Sequence, residues 1–302
     1  MKNLIEFLDL GYQPLANEYI AKKNFKKKEK KYRLVVCFNK KNHLISIKKT
    51  FSSKSMFNNK YPYRSSLSKT VNKSFKNLSI KIKKNYKFKK ILEIGSNDGC
   101  FLKNFKKKQT VGIEPCKNVE RITKKKNFNT FAKYWDRETA SYLKKKFGKF
   151  DIVFSANTLS HIKNLDNVFS SINFILKENG ILILEDPSVL DCLKKVTYDQ
   201  FYNEHIYVFS YLSLKTILKK NNLKIFKIEN LDIHGGTNRY YIKKNINPRK
   251  VEKSVLFQEK RELAHGLNKL STYKKFAKKA KISKNKLVKI FKKLKKQGKK
   301  VI

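Results

Sequence analysis

From residue 89 onward the sequence alternates short β-type runs with helical stretches, a rhythm that few folds accommodate. The runs are KKILEIG (89–95), TVGIEP (110–115), FNTFA (128–132), FDIVFSAN (150–157) and GILILEDP (180–187). Helical patterns such as FLKNFKKK (101–108) and LDNVFSSINFILKEN (165–179) separate them. Near-continuous Ile, Val, Leu and Phe in each run suits strands buried on both faces. The pattern therefore predicts βαβ units and a parallel sheet covered by helices on either side. Two further strands are expected at NNLKIFKIENL (221–231) and TNRYYIKK (237–244), joined by a tight His-Gly-Gly turn. Upstream, YRLVVCF (32–38) and HLISIKK (43–49) read as a small hairpin unit, and 66–84 as a helix. Residues 251–297 read as one long Lys-rich helix, ending in GKKVI as the start of a strand. Three parts are expected: an N-terminal module (1–85), an α/β core (86–245) and a basic helical segment (246–302).

Formal charge is +49, which would ordinarily point to a polyanionic partner. Only seven of the 72 basic residues are arginine, the preferred bidentate reader of phosphate and guanine. The lysines are spread along the chain beside abundant Asn, as a compositional bias would write them, so no nucleic-acid partner is expected. The exceptions are informative. Lysine-free islands at 91–102, 150–162, 178–193, 196–214 and 228–242 mark places that reject a long cation. Burial explains the apolar islands but not the polar ones. The four cysteines are scattered without a CxxC pair, which argues for reduced thiols and against a sequence-local zinc knuckle. No run approaches the length of a signal peptide or a membrane helix, so the chain reads as cytoplasmic, without a membrane partner.

The island ILEIGSNDGCFL (91–102) has the form of a cofactor turn. A strand ends at Ile94, Gly95 permits a tight turn, Gly99 permits close packing, and a helix is expected to start near Asp98. Such a turn presents backbone N–H groups at the carboxyl edge of the sheet, where open α/β folds bind ligands. Asn97 replaces the middle glycine of a dinucleotide fingerprint. The next strand ends in Glu114, placed to accept both hydroxyls of a ribose. Without a P-loop lysine this set suits S-adenosylmethionine better than a dinucleotide, and Asn157, ending the fourth strand, is expected beside the cofactor's amino-acid end.

GYQPLANEYI (11–20), YPYRSS (61–66), ILEIGSNDG (91–99), GIEP (112–115), ANTLSHI (156–162), FYNEH (201–205) and HGGTNR (234–239) occur in the order seen in sugar C-methyltransferases. The chain resembles that family from residue 10 to 302. The resemblance implies S-adenosylmethionine-dependent methylation of a carbon in a nucleotide-linked 4-keto-deoxysugar. It also implies a class I methyltransferase core, a Rossmann-like seven-stranded sheet with helices on both faces, between a zinc-bearing N-terminal domain and a C-terminal α/β domain. The sequence departs from the pattern at both ends. Lys40 stands where the CxxC partner of Cys37 belongs, so no metal is expected. Most of the C-terminal domain is expected to be lacking after GKKVI.

Methylating carbon requires removal of a proton beside a ketone and stabilisation of the enolate. Histidine, with an ordinary pKa of about 6.5, suits the base. The island YDQFYNEHIYVFS (198–210) offers His205 as that base, Glu204 to orient it and Tyr202 as a donor to the enolate or sugar. Tyr61, Tyr63, His161 and His234 are expected to contact the substrate, and Arg239, an arginine among lysines, its diphosphate. Ser160 beside His161 lacks the G-x-S-x-G elbow of a hydrolase. Two alternatives to sugar methylation stay open: an RNA methyltransferase, and a non-catalytic cofactor-binding remnant.

Overall fold

The computed structural model describes residues 3–26 and 28–301. Strands β1 (Leu4–Gln13), β2 (Tyr32–Asn39) and β3 (Ile45–Ile47) open the chain, followed by helices α1 (Ser53–Met56) and α2 (Lys69–Asn85). The βαβ segment then runs β4 (Ile91–Ile94), β5 (Thr110–Ile113), α3 (Lys117–Lys125), β6 (Asn129–Phe131), α4 (Arg137–Phe147), β7 (Phe150–Ala156), α5 (Leu165–Ile175) and β8 (Leu176–Pro187). After it come α6 (Val189–Lys195), β9 (Tyr207–Val208), α7 (Tyr211–Lys220), β10 (Leu223–Leu231), β11 (Thr237–Lys244), α8 (Lys253–Ala264) and α9 (Leu270–Lys296).

Seven strands make one sheet in the order β10-β11-β8-β7-β4-β5-β6. The five central and edge strands from β8 to β6 are parallel, and β11 runs antiparallel between β8 and β10. This is the expected seven-stranded α/β sheet. Alternate residues serve its two faces. Leu92, Ile94, Val153, Leu182 and Leu184 join the core under α4, α5 and α7, whereas Ile91, Ile152, Phe154 and Ile183 meet α2 through Phe75, Leu78 and Ile82. Strand order reverses between β4 and β7, so their carboxyl ends part and leave a crevice.

Four local expectations are corrected. No α-helix follows β4. Asn97 and Gly99 are both left-handed (φ 46° and 79°), which breaks right-handed helical geometry at the point where the helix was expected to start. Two 3₁₀ turns fill the gap, at Leu102–Asn104 and Lys107–Gln109, and Phe101 and Phe105 lock into an aromatic cluster with Phe75 and Phe154. Helix 165–179 stops at Ile175, because Leu176 turns extended and pairs with Phe150. The single long C-terminal helix is broken at Gly266 (φ 70°), where a Cβ would meet Thr272 Oγ1 at 2.7 Å. At the end of the chain, residues 299–301 pair with no strand, and Ile302 lies outside the described residues.

The N-terminal sheet has the order β1-β2-β3-β9, so a strand from the middle of the chain closes it. That strand follows directly on YNEH. Helix α9 seals the same sheet, with Tyr273 packed on Phe7 and Phe38 (ring centroids 5.2 and 4.8 Å). The catalytic-candidate loop is thereby clamped between two sheets rather than left at the surface.

Candidate active site

The carboxyl ends of the parallel strands open into a cavity of about 590 Å³, lined by Ile94, Ile113, Ala156 and Pro187 from β4, β5, β7 and β8. Its roof comes from the N-terminal part of the chain, through Asn17, Phe57, Tyr61, Tyr63 and Ser65. That volume is within the usual range for a cofactor together with a small substrate.

The roof is latched from below. Asn97 Oδ1 accepts from the Ser65 N–H (2.9 Å) and its Nδ2 donates to the Tyr63 carbonyl (3.3 Å). Asp98 takes both the N–H and the hydroxyl of Ser66. Asn118 Nδ2 donates to the Tyr61 carbonyl at 2.9 Å, and Tyr134 donates to that of Phe57, also at 2.9 Å. Asp98 does not line the cavity; its carboxylate is spent on the roof, which corrects its assignment as a cofactor ligand. Gly99 sits behind the wall, where a Cβ would meet Thr123 Cγ2 at 3.0 Å.

Gly95, Asn97, Glu114 and Asn157 all line the cavity. Glu114 is nearly fully buried, and two N–H groups orient its carboxylate: Asn97 to Oε2 at 3.0 Å and Cys116 to Oε1 at 2.9 Å. Burial pushes its pKa up, while these donors oppose the shift. Gly95 (φ 76°) leaves no space for a side chain, since a Cβ would lie 2.0 Å from Thr158 Oγ1. Sequence reasoning missed Tyr134, Trp135 and Asp136, which line the same compartment just after β6. The only available signal was a lone Trp and an acid in so basic a chain. Among the described residues, Lys54 is the one lysine on the lining, and no arginine is on it.

Tyr202, His205, His161, His234, Tyr61 and Tyr63 meet at the far side. His205 Nδ1 lies 2.8 Å from the Gln200 carbonyl, and a carbonyl only accepts, so Nδ1 carries the hydrogen. Nε2 is then the basic nitrogen and accepts from the Tyr202 hydroxyl at 2.9 Å. Burial drives the His205 pKa down to about 4 and raises that of Tyr202, so both are neutral at pH 7. The His161 ring lies 5.1 Å from that of His205 and stacks on Phe57; its Nε2 is buried with no hydrogen-bond partner among the described residues. Its neighbour Ser160 is bonded to Asp186, whose pKa burial pushes up to about 8.

Two expected roles are corrected. Glu204 does not touch His205. Its oxygens accept from Asn17 Nδ2 (2.9 Å) and the Tyr61 hydroxyl (3.2 Å), tying the loop to the roof; the Gln200 carbonyl orients His205 instead. Arg239 does not reach the cavity. On β11 it pairs with Glu185 (2.6 Å) and Glu229 (2.9 Å) and is 2% exposed. Replacing Arg239 with Leu strands Glu185 as a buried uncompensated charge, with an expected loss of about 3–5 kcal/mol in urea unfolding. Unchanged stability with weakened substrate binding would instead make Arg239 a ligand contact.

Comparison with known proteins matches residues 63–228 to the family described as methyltransferase domain. The chain belongs to that family. The methyltransferase also matches the C-methyltransferase C-terminal domain over 232–302 and a putative zinc binding domain over 1–57. It is 23% identical over 189 residues to the C-methyltransferase NovU of Streptomyces niveus, covering 62% of this chain and 45% of that protein. The chain thus spans less than half the length of that relative. Among solved structures, it is similar to an S-adenosylmethionine-dependent methyltransferase of Clostridium acetobutylicum. That match has 17% identity, 57% of this chain, 91% of the other and a TM-score of 0.43. It is also similar to an O-methyltransferase of a Brevibacillus brevis trans-AT PKS multienzyme, at 15% identity, 65% of this chain, 80% of the other and TM-score 0.43.

S-adenosylmethionine is the cofactor of this methyltransferase, and the residues present fit it. Glu114, oriented by two N–H groups, would accept a diol, and the lining is rich in aromatics with Lys54 as its one lysine among the described residues, as a sulfonium requires. Zinc does not fit. Cys37 is the only cysteine in 1–57, buried in β2, and no group of three or more His, Cys, Asp or Glu side chains stands ready for a metal among the described residues.

Proposed function

We propose that the methyltransferase alkylates the carbon beside the ketone of a nucleotide-linked 4-keto-deoxysugar. The observation that carries this reading is the neutral Tyr202–His205 pair with Nε2 as its acceptor, at the end of the cofactor cavity. The two side chains act as one acid–base unit. Tyr202 oxygen takes the proton from the sugar carbon as its own hydrogen passes to His205 Nε2, leaving imidazolium and enolate. The Gln200 carbonyl steadies the charge on Nδ1. His161, unpartnered and adjacent, donates to the enolate oxygen, a contact worth about 3 kcal/mol in comparable oxyanion sites. Bound S-adenosylmethionine supplies the electrophilic methyl group. Tyr61, hydrogen-bonded to Glu204, holds the roof over the reacting carbon and excludes water.

RNA methylation finds less support, because a lining with one lysine among the described residues offers a polyanion little purchase. Incubation with methyl-labelled S-adenosylmethionine and either a dTDP-4-keto-deoxyhexose or bulk RNA tests the proposal. Label in the sugar is expected. Label only in RNA, or cofactor binding without transfer to either, would reject it.

A further inference from the structure

With Arg239 committed to Glu185 and Glu229, the diphosphate of a nucleotide-linked sugar needs another cation. The cavity carries few charges. Two acids, Glu114 and Asp136, line it. Burial lowers the pKa of its three histidines, His161, His205 and His234, so none is a cation at pH 7. Lys54 is therefore its one positive charge among the described residues. Lys54 also stands at an opening: it and Ser52 line the cavity and are exposed, whereas Met56 on the same turn is buried. The far end of that turn is fixed to the reactive end of the cavity. The Tyr134 hydroxyl donates to the Phe57 carbonyl at 2.9 Å, and the Phe57 ring stacks on His161 with centroids 5.4 Å apart. The Ser52 side chain precedes α1 but caps none of its N–H groups, which leaves its hydroxyl able to face a ligand.

We infer, resting on the ketosugar reading, that Lys54 with the hydroxyls of Ser52 and Ser53 binds the diphosphate of the nucleotide-linked sugar. The order of groups along such a substrate fits. The diphosphate is carried on carbon 1, across the ring from the 4-ketone, so a sugar that reacts at Tyr202 and His161 holds its phosphates one ring away. Phe57 touches His161, and Lys54 lies one helical turn before it, about 5 Å along the axis. The charge fits as well. A dianion entering a cavity that holds Glu114 and Asp136 is repelled, and a cation at the opening offsets that repulsion. An ammonium donates to phosphate oxygens as a point charge, and serine hydroxyls add neutral donors beside it. The cofactor's own carboxylate is the other anion in reach, but it is expected beside Asn157 on the floor, whereas Lys54 belongs to the N-terminal part of the chain.

Titration calorimetry on the full chain with thymidine diphosphate, thymidine and S-adenosylmethionine tests the subsite. Wild type is expected to bind the diphosphate more tightly than thymidine. Lys54→Ala is expected to weaken the diphosphate about tenfold and to leave thymidine and S-adenosylmethionine within about twofold, while Lys54→Arg retains most of the affinity. Lys60→Ala removes an exposed lysine off the lining and is expected to change nothing, which controls for the general attraction of a chain of charge +49. With a dTDP-4-keto-deoxyhexose, Lys54→Ala is expected to raise KM by the same factor with kcat close to wild type. No preference for the diphosphate over thymidine, unchanged diphosphate affinity in Lys54→Ala, or an equal loss in Lys60→Ala would overturn the inference. An equal loss for S-adenosylmethionine would do the same and give Lys54 to the cofactor. Diphosphate binding that depends on Lys54, with no label entering the sugar, would reject the ketosugar reading and leave the subsite standing. Label in the sugar with an unchanged KM in Lys54→Ala would reject the subsite alone.

Discussion

Replacing His205 with Ala is expected to lower turnover by about 10²–10⁴-fold while leaving cofactor affinity within a few fold, since His205 Nε2 faces Tyr202 and not Glu114. Tyr202→Phe is expected to give a loss of the same order, because the proposed relay takes the carbon's proton on the phenol oxygen. Solvent deuterium exchange into the sugar, measured without methyl transfer, checks both. If Tyr202→Phe exchanges at the wild-type rate, the relay is wrong and Nε2 acts alone. The pH profile adds a second readout. With the His205 pKa near 4, the acidic limb of kcat/KM is expected near pH 4 rather than at the ordinary histidine value of 6.5. Stability moves in the same direction. His205 is depressed in the fold, so the unfolded chain binds its proton first. Its contribution is complete above about pH 6.5 and is lost as the pH falls towards 4. Buried His161, also depressed, adds to that acid sensitivity. Chemical unfolding at several pH values separates this loss from the kinetic limb.

Replacing Glu114 with Ala is expected to weaken S-adenosylmethionine binding by about 10²–10³-fold, from two hydrogen bonds to a charged acceptor. The same substitution frees the N–H groups of Asn97 and Cys116, so it also loosens the turn whose Asn97 and Asp98 side chains latch the roof. Glu114→Gln keeps one acceptor oxygen and is expected to fall between Ala and wild type. Titration calorimetry with S-adenosylmethionine and with S-adenosylhomocysteine reads the effect. Equal losses for both ligands are expected if Glu114 holds the shared ribose. A loss confined to S-adenosylmethionine would mean that Glu114 instead serves the sulfonium charge.

The legible part of the site was the part written in contiguous residues. Gly95, Asn97 and Glu114 sit at strand ends that periodicity locates, and open α/β sheets place such ends together whatever surrounds them. The lysine gap over 196–214 drew attention to Tyr202 and His205 for a chemical reason, the exclusion of ammonium groups. Arg239 was misread because an arginine among lysines looks the same on a surface as in a buried ion triad; only the register that pairs it with Glu185 distinguishes them. Glu204 was misread because adjacency in sequence suggested adjacency in space to His205. Its side chain points the other way, to partners 187 and 143 residues upstream.

Sequence alone determined the sheet, the strand ends that open into its cavity and the methyltransferase class, since hydrophobic period, turn glycines and strand-end acids are local and short-range forces act on them directly. Tertiary structure decided which atoms work together. The commitment of Asp98 and Glu204 to the roof and the closing of the N-terminal sheet by β9 arise from hydrogen bonds between residues far apart in sequence, and the tautomer of His205 from the fold of its own loop, which brings the Gln200 carbonyl to Nδ1. Those bonds form only after burial removes competing water, and no spacing along the chain encodes which partner will then be within reach.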